Sequence, residues 1–95
     1  MSKGYIVITG EVHDPAGMAE YTKLVSKTMA GATLLSFDQA PEALEGAWHG
    51  TQTVLLEFES EQAARDWYYS DAYQAAAKVR QAAADCNAVI LHGLG

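Results

Sequence analysis

The chain has 95 residues, 49% of them apolar and only 19% charged, with a formal net charge of −6 and a pI near 4.8. Its six Lys and Arg residues do not cluster, which excludes the basic footprint of a nucleic-acid or anionic-lipid binder, and no apolar run reaches the ~18 residues of a membrane span. The length fits one domain over 1–95, which buries only about 60–65% of its unfolded surface; with charge below the ~25% usual in soluble domains, part of its apolar surface is expected to face another chain.

The opening MSKGYIVITG reads as a strand. It lacks the long apolar stretch and small-residue cleavage site of a signal peptide, so the expected location is the cytoplasm. YIVITGEV, residues 5 to 12, is β-branched and continuously apolar at Ile6, Val7 and Ile8, so both faces of its centre are expected to be buried. Asp14 and Pro15 then fit the cap and first position of a helix. Met18, Tyr21, Val25 and Met29 recur at steps of three or four and give that helix one apolar stripe. Gly31 marks its stop.

ATLLSFD, residues 32 to 38, predicts a second strand. QAPEALEGAWHG, 39 to 50, is a connection carrying Trp48 and His49, placed to fold over a pocket as a lid. TVLLEFES, 53 to 60, predicts the third strand, and Ser60 caps a helix running through Tyr69. Ser70 with Asp71 reads as a second cap, so a break is expected there, with a new helix from Asp71 to about Asp85. NAVILHG, 87 to 93, is the last strand. The single cysteine, Cys86, can form no internal disulfide and reads as a small, half-buried residue.

The order β-α-β-β-α-β, with right-handed crossovers, predicts an α+β ferredoxin-like fold: a four-stranded antiparallel sheet with the helices on one face. The uncovered face is expected to pack against that of a second copy, giving a two-fold homodimer.

The pieces in order resemble a known family. They are Asp14-Pro15 after a G-x-V strand, Tyr21, Leu44-Glu45-Gly46 followed by Trp48, Glu57-Phe58, Ala64, Trp67-Tyr68, Ser70-x-x-Tyr73 and Arg80. Together they resemble the domain-of-unknown-function family 1330, of the dimeric α/β-barrel superfamily, over nearly the whole chain. The resemblance implies that fold and no agreed activity; the wider superfamily includes small monooxygenases, isomerases and decarboxylases. Where the family commonly has an arginine and paired glycines, this chain has Ser36, Phe37 and Asp38. Where it commonly has a second arginine, this chain has Gln52. The ligand, if relatives bind one through those arginines, differs here or is lost.

Arg80 is the residue most out of place. Tyr73, Ala76, Ala77, Arg80 and Ala84 form one helical stripe that should face the sheet, and a buried guanidinium needs a partner. Glu57, set among Leu55, Leu56 and Phe58, is the favoured one, as an ion pair. The alternatives are a ligand carboxylate held by Arg80 and an arginine reaching solvent. Trp67, Tyr68 and Tyr73 read first as packing and second as the aromatic wall of a pocket that Tyr21 also faces. Ser70 reads as a cap before a ligand contact. His13, His49 and His92 have no metal-ligand spacing, so no metal site is expected; His49, His13 and Glu57 are the candidate bases if chemistry occurs. No phosphate loop and no cofactor motif is present.

Two functions remain open. One is a small-molecule site between helices and sheet, lined by Tyr21, Trp48, Glu57, Trp67, Tyr68, Tyr73 and Arg80, for a small organic molecule or carboxylate, without a cofactor. The other is a non-catalytic dimeric module in which the same residues form core.

Overall fold

The computed structural model describes residues 2–95. At its centre runs β1 (Gly4–Val12), hydrogen-bonded on both sides. It is followed by α1 (Pro15–Val25), a 3-10 turn (Ser26–Thr28), β2 (Thr33–Asp38), β3 (Gln52–Phe58), α2 (Glu61–Tyr68), α3 (Asp71–Ala83) and β4 (Ala84–His92). The sheet order is β2-β3-β1-β4, and all three neighbouring pairs are antiparallel. The expected α+β arrangement is thus present, with the second helix divided in two.

Strand alternation sorts the side chains. Ile6 and Ile8 of β1 and Leu56 and Phe58 of β3 face the helices, where they form the core with Ala64, Trp67, Tyr73 and Ala77. The residues between them face the other way. Val7 is paired with Leu55 and with Val89, and Tyr5 with Glu57 and with Leu91. The second face is only half-covered by this chain: Val7 and Leu55 are half-buried, while Val89 and Leu91 are 52% and 47% exposed.

The helix starts follow the capping residues. The Asp14 carboxylate accepts from Gly17 N at 3.2 Å, the Ser60 hydroxyl from Ala63 N at 3.0 Å and the Ser70 hydroxyl from Tyr73 N at 3.2 Å. Each satisfies an amide that the first turn leaves free. Two boundaries differ from the sequence expectation. The first helix tightens into its 3-10 turn at Ser26, before Met29. Residues 84 and 85, expected at the end of a helix, already belong to β4, where Asp85 pairs with Glu11 and, after it, Cys86 with Gly10. With no glycine or proline between them, α3 passes straight into the strand, and Ala84 takes extended backbone angles at the junction.

Close contact between α1 and α3 depends on Gly17, where a Cβ would lie 2.8 Å from that of Ala83. At Gly4 the neighbours are backbone: a Cβ there would lie 2.6 Å from Ser60 O and 2.8 Å from Glu61 Cα. Backbone at a helix start cannot yield as a side-chain tip does. Gly4→Ala is therefore expected to lower stability by about 1–3 kcal/mol, read as a reduced urea midpoint; an unchanged midpoint would mean that β1 and the start of α2 are not so closely apposed.

Candidate functional site

The α1 helix packs against α3 in antiparallel sense: His13 N and Asp14 N both donate to Ala83 O at 3.0 Å, and Tyr21 reaches Tyr73. Yet no residue of α1 is buried. The helix stands away from β2 and β3, leaving a cleft of about 650 Å³. Met18, Tyr21 and Val25 line it from above and Phe37, Val54 and Leu56 from below. The expected apolar stripe of α1 is therefore real, but it faces this cleft and not a closed core. Strand β2 is exposed along its whole length, with Leu34 at 51% and Phe37 at 54% on the cleft side.

Behind the cleft lies an aromatic cluster centred on Tyr73, which is fully buried. Its ring packs on Trp67 at 4.0 Å between centroids and on Tyr68 at 5.5 Å. Its hydroxyl shares a 2.9 Å hydrogen bond with that of Tyr21. Trp67 in turn packs on Phe58, and its indole N–H donates to Thr28 O at 2.6 Å. The sequence expectation that Tyr21, Trp67, Tyr68 and Tyr73 come together is met, mostly as packing. Burial, and after it the neighbouring Tyr73 hydroxyl, push the Tyr21 phenol well above the ordinary tyrosine range; Arg80 opposes this only in part.

Arg80 is 3% exposed, with its Cζ 5.8 Å from the centre of the Tyr21 ring. Burial works against its charge, but Tyr73, Cys86 and Tyr21 outweigh it, so the guanidinium holds its proton more firmly than usual. The expected ion pair with Glu57 does not form. Leu56 and Phe58 point to the helices, so Glu57, between them on the same strand, points to the opposite face of the sheet. There its nearest cation is Lys3, at 4.0 Å. The Nε and Nη2 atoms of Arg80 are buried with no hydrogen-bond partner among the described residues.

Trp48 and His49 are also parted from the helices. The β2–β3 connection folds onto the second sheet face, where the Trp48 indole N–H donates to Thr53 Oγ1 at 2.8 Å. His49 Nδ1 and Thr9 Oγ1 share a 2.6 Å hydrogen bond. Trp48 and His49 thus meet Thr53 and Thr9 and neither lines the helix-side cleft, and Thr9 and Thr53 are contacts the sequence reading missed. They stand opposite each other in the register, which alternation from Ile8 and Val54 would have revealed. Ser70 is a cap: besides accepting from Tyr73 N, its hydroxyl donates to Trp67 O at 2.7 Å. Cys86 is half-buried, as expected. Among the described residues no group of three metal-ligating side chains gathers, and no helix is long and apolar enough to cross a membrane.

The chain belongs to the family described as Domain of unknown function (DUF1330), whose model matches residues 3–94. No curated protein matches it. Among solved structures it is similar to a protein of unknown function from Rhodopseudomonas palustris (TM-score 0.74, 19% identity, 99% of this chain and 84% of that one). It is also similar to a dimeric ferredoxin-like protein of unknown function from a Jannaschia species (TM-score 0.71, 14% identity, 94% and 97%). A third is SnoaB, a cofactor-independent oxygenase from Streptomyces nogalater (TM-score 0.63, 14% identity, 100% and 96%). At these identities the likeness shows the fold, which the name of the Jannaschia protein gives as ferredoxin-like.

Two predictions follow from the placement of Arg80 and Tyr21. In a double-mutant cycle of Glu57→Gln and Arg80→Met, the coupling energy is expected within about 0.5 kcal/mol of zero, and Arg80→Met alone is expected to stabilise the fold by roughly 1 kcal/mol or more. A coupling above about 1 kcal/mol would restore the ion pair. For Tyr21, the unfolded chain releases the phenol proton near the ordinary pKa of 10.0 while the folded chain retains it. The folded state then binds more protons, so stability is full below that pH and falls as pH rises past it. Tyr21→Phe should flatten this alkaline decline in urea titrations; an identical slope in both proteins would show that Tyr21 ionises freely when folded.

Proposed function

We propose that this chain, as a homodimer paired through its sheets, binds a small, mostly apolar organic molecule in the cleft beneath α1. The observation that carries this is the cleft itself: about 650 Å³, within the ~300–1,000 Å³ usual for ligand sites, and roofed by a helix that buries none of its own residues. Tyr21 is the single ionisable side chain lining it among the described residues, and it remains a neutral phenol. Either hydroxyl of the Tyr21–Tyr73 pair can donate to the other, and with Tyr73 donating, the Tyr21 hydrogen is left for a ligand oxygen. Such a wall supports binding and orientation better than acid–base chemistry, which needs a group titrating near the working pH.

Phe37 and Gln52, two of the positions where the chain departs from the family pattern, both line the cleft. A phenyl ring and an uncharged amide there suit an apolar or neutral ligand and not an anion. The likeness to a cofactor-independent oxygenase is one of fold and carries no reaction to this chain.

Pairing through the sheets is supported by the apolar residues on the second face, Val7, Leu55, Val89 and Leu91, and by the dimeric state named for a protein of similar fold. Two copies meeting there would cover residues that one copy leaves half-exposed, the usual reason for a contiguous apolar face.

Binding is tested by titration with a neutral solvatochromic dye such as Nile red. Val25→Trp, which fills the cleft from α1, is expected to weaken binding at least about tenfold, equivalent to ~1.4 kcal/mol. Equal affinity in both proteins would move the ligand elsewhere. Assembly is tested by sedimentation: a dimer is expected for the native protein and a monomer for Leu91→Lys, and a native monomer would remove the sheet pairing while leaving the cleft to stand on the dye result.

A further inference from the structure

The cleft beneath α1 is not uniform along its length. Its floor is built of rows across the β2–β3 ladder. Leu34 pairs with Leu56 and Phe37 with Val54, and the ladder ends at Asp38 and Thr53. Beyond that last pair come Gln39, which follows Asp38, and Gln52, which precedes Thr53, and both line the cleft. By alternation the side chain of Gln52 shares a face with those of Val54 and Leu56. The floor thus runs from aliphatic side chains, past a phenyl ring, to a pair of carboxamides, over about 13 Å between Leu56 and Gln52.

The roof follows the same gradient. Helix α1 begins at Pro15, just after β1 ends at Val12, and so starts at the Gln52 end, since Gly10 of β1 pairs with Gln52. It returns along the sheet to Val25, and Val25 and Met29 pack against the core. The hydroxyls of Thr22 and Ser26 donate to carbonyls of the same helix, Met18 O at 3.0 Å and Lys23 O at 2.8 Å, so as donors they are already used. Burial runs the same way: Leu56 is 3% exposed and Val25 and Met29 are half-buried, whereas Gln39 and Thr51 are exposed. The carboxamides therefore stand where the cleft meets water, and the most buried hydrocarbon lies at the other end. A second pocket, of about 350 Å³ between α3 and β4, is lined by both Arg80 and Asp85 and so selects no one sign of charge.

We infer that the cleft takes a neutral amphiphile lying lengthwise, its hydrocarbon tail towards Leu56 and Met29 and its head, an amide or a hydroxyl, between Gln39 and Gln52. The inference rests on the cleft being a ligand site and names the class of ligand. A carboxamide donates through its nitrogen and accepts through its oxygen, so it pairs best with a group that also does both, as an amide or an alcohol does. No charged side chain lines the cleft among the described residues, and an ion entering it would lose hydration with no countercharge in exchange. The net charge of −6 further opposes an anion. At the tail end Leu34, Leu56, Val25 and Met29 offer hydrocarbon and thioether surface, which holds an alkyl chain by removing it from water.

The test is displacement of Nile red from the native protein by octanamide and octanol, against octanoate and octylammonium. The neutral probes are expected to compete at least about tenfold more tightly than either ion, because only the ions lose hydration uncompensated. Gln39→Leu combined with Gln52→Leu should lower the affinity for octanamide, relative to that for Nile red, by about tenfold, the effect of losing a pair of neutral hydrogen bonds. The lengthwise orientation is read from nuclear Overhauser contacts in the octanamide complex: the ligand's terminal methyl is expected beside the Met29 methyl and its amide protons beside the Gln52 side chain. The proposal is overturned if the ions compete as well as octanamide, if the double variant keeps the native ratio, or if the ligand methyl contacts Pro15 and not Met29. Nile red that binds and is displaced by neither neutral probe would overturn the head-and-tail assignment while leaving the cleft a ligand site. Nile red that fails to bind, or that binds Val25→Trp equally well, would remove both.

Discussion

The position of Tyr73, with no exposed surface and a ring 4.0 Å from that of Trp67, is the constraint on which the helix layer depends. Through Trp67 it is joined to Phe58 of β3 and to the carbonyl of Thr28. Through its hydroxyl it is joined to Tyr21 of α1. The break between α2 and α3 serves the same centre: Ser70 caps the amide of Tyr73 while bonding the carbonyl of Trp67, so the two stacked rings are fixed from both sides of one residue. A fully buried tyrosine loses its hydration, and its hydroxyl must find a partner. That need, met by Tyr21, helps hold α1 against α3 at a distance from the sheet.

The two cavities follow from this arrangement and differ in kind because of it. On one side of the Tyr21–Tyr73 pair, α1 is held off β2 and β3, and the space beneath it is walled by apolar side chains. On the other side, under the end of α3, alanines and a cysteine on β4 leave room beside a charge. Of the phenol pair, Tyr21 lines the first cavity and neither ring lines the second, and burial keeps Tyr21 protonated. The chain thus has one chamber lined without charge and a second, of about 350 Å³, lined by Arg80 and Asp85, with the Arg80 Cζ 5.8 Å from the ring that walls the first.

Much of the scaffold was readable in the sequence because it is set by local chemistry. Asp14-Pro15, Ser60 and Ser70 each announce a helix start, and each side chain makes the bond expected of it. The strands declared themselves by β-branched runs. The candidate site was less readable, and the reasons are particular. Glu57 and Arg80 were matched as two charges out of place, yet period-two alternation from Phe58 already puts Glu57 on the far face. Trp48 and His49 sit in a connection without periodicity, so only the fold shows that they meet Thr53 and Thr9. The stripe of Met18, Tyr21, Val25 and Met29 was correct as a face, but a stripe does not say whether what it faces is a core or a cleft. That depends on how far α1 stands from the sheet, which is fixed by Gly17 against Ala83 and by two hydroxyls far apart in sequence.

An arginine buried beside no carboxylate leaves two donors without the hydrogen bonds that water would supply, and unmet buried donors cost stability. A leucine or methionine on the same stripe of α3 would pack there without that cost. Local choices in this chain otherwise agree with the fold at its caps, core and turns, and disagreement at one buried position is characteristic of sites kept for function. Surface charge would account for an exposed cation, and core packing for a shielded hydrocarbon; Arg80, 3% exposed, is instead a cation held 5.8 Å from the centre of the Tyr21 ring. The carboxylate expected to pair with it, Glu57, leaves its strand on the other sheet face beside Lys3, so the charge of Arg80 is met by aromatic surface and not by an anion.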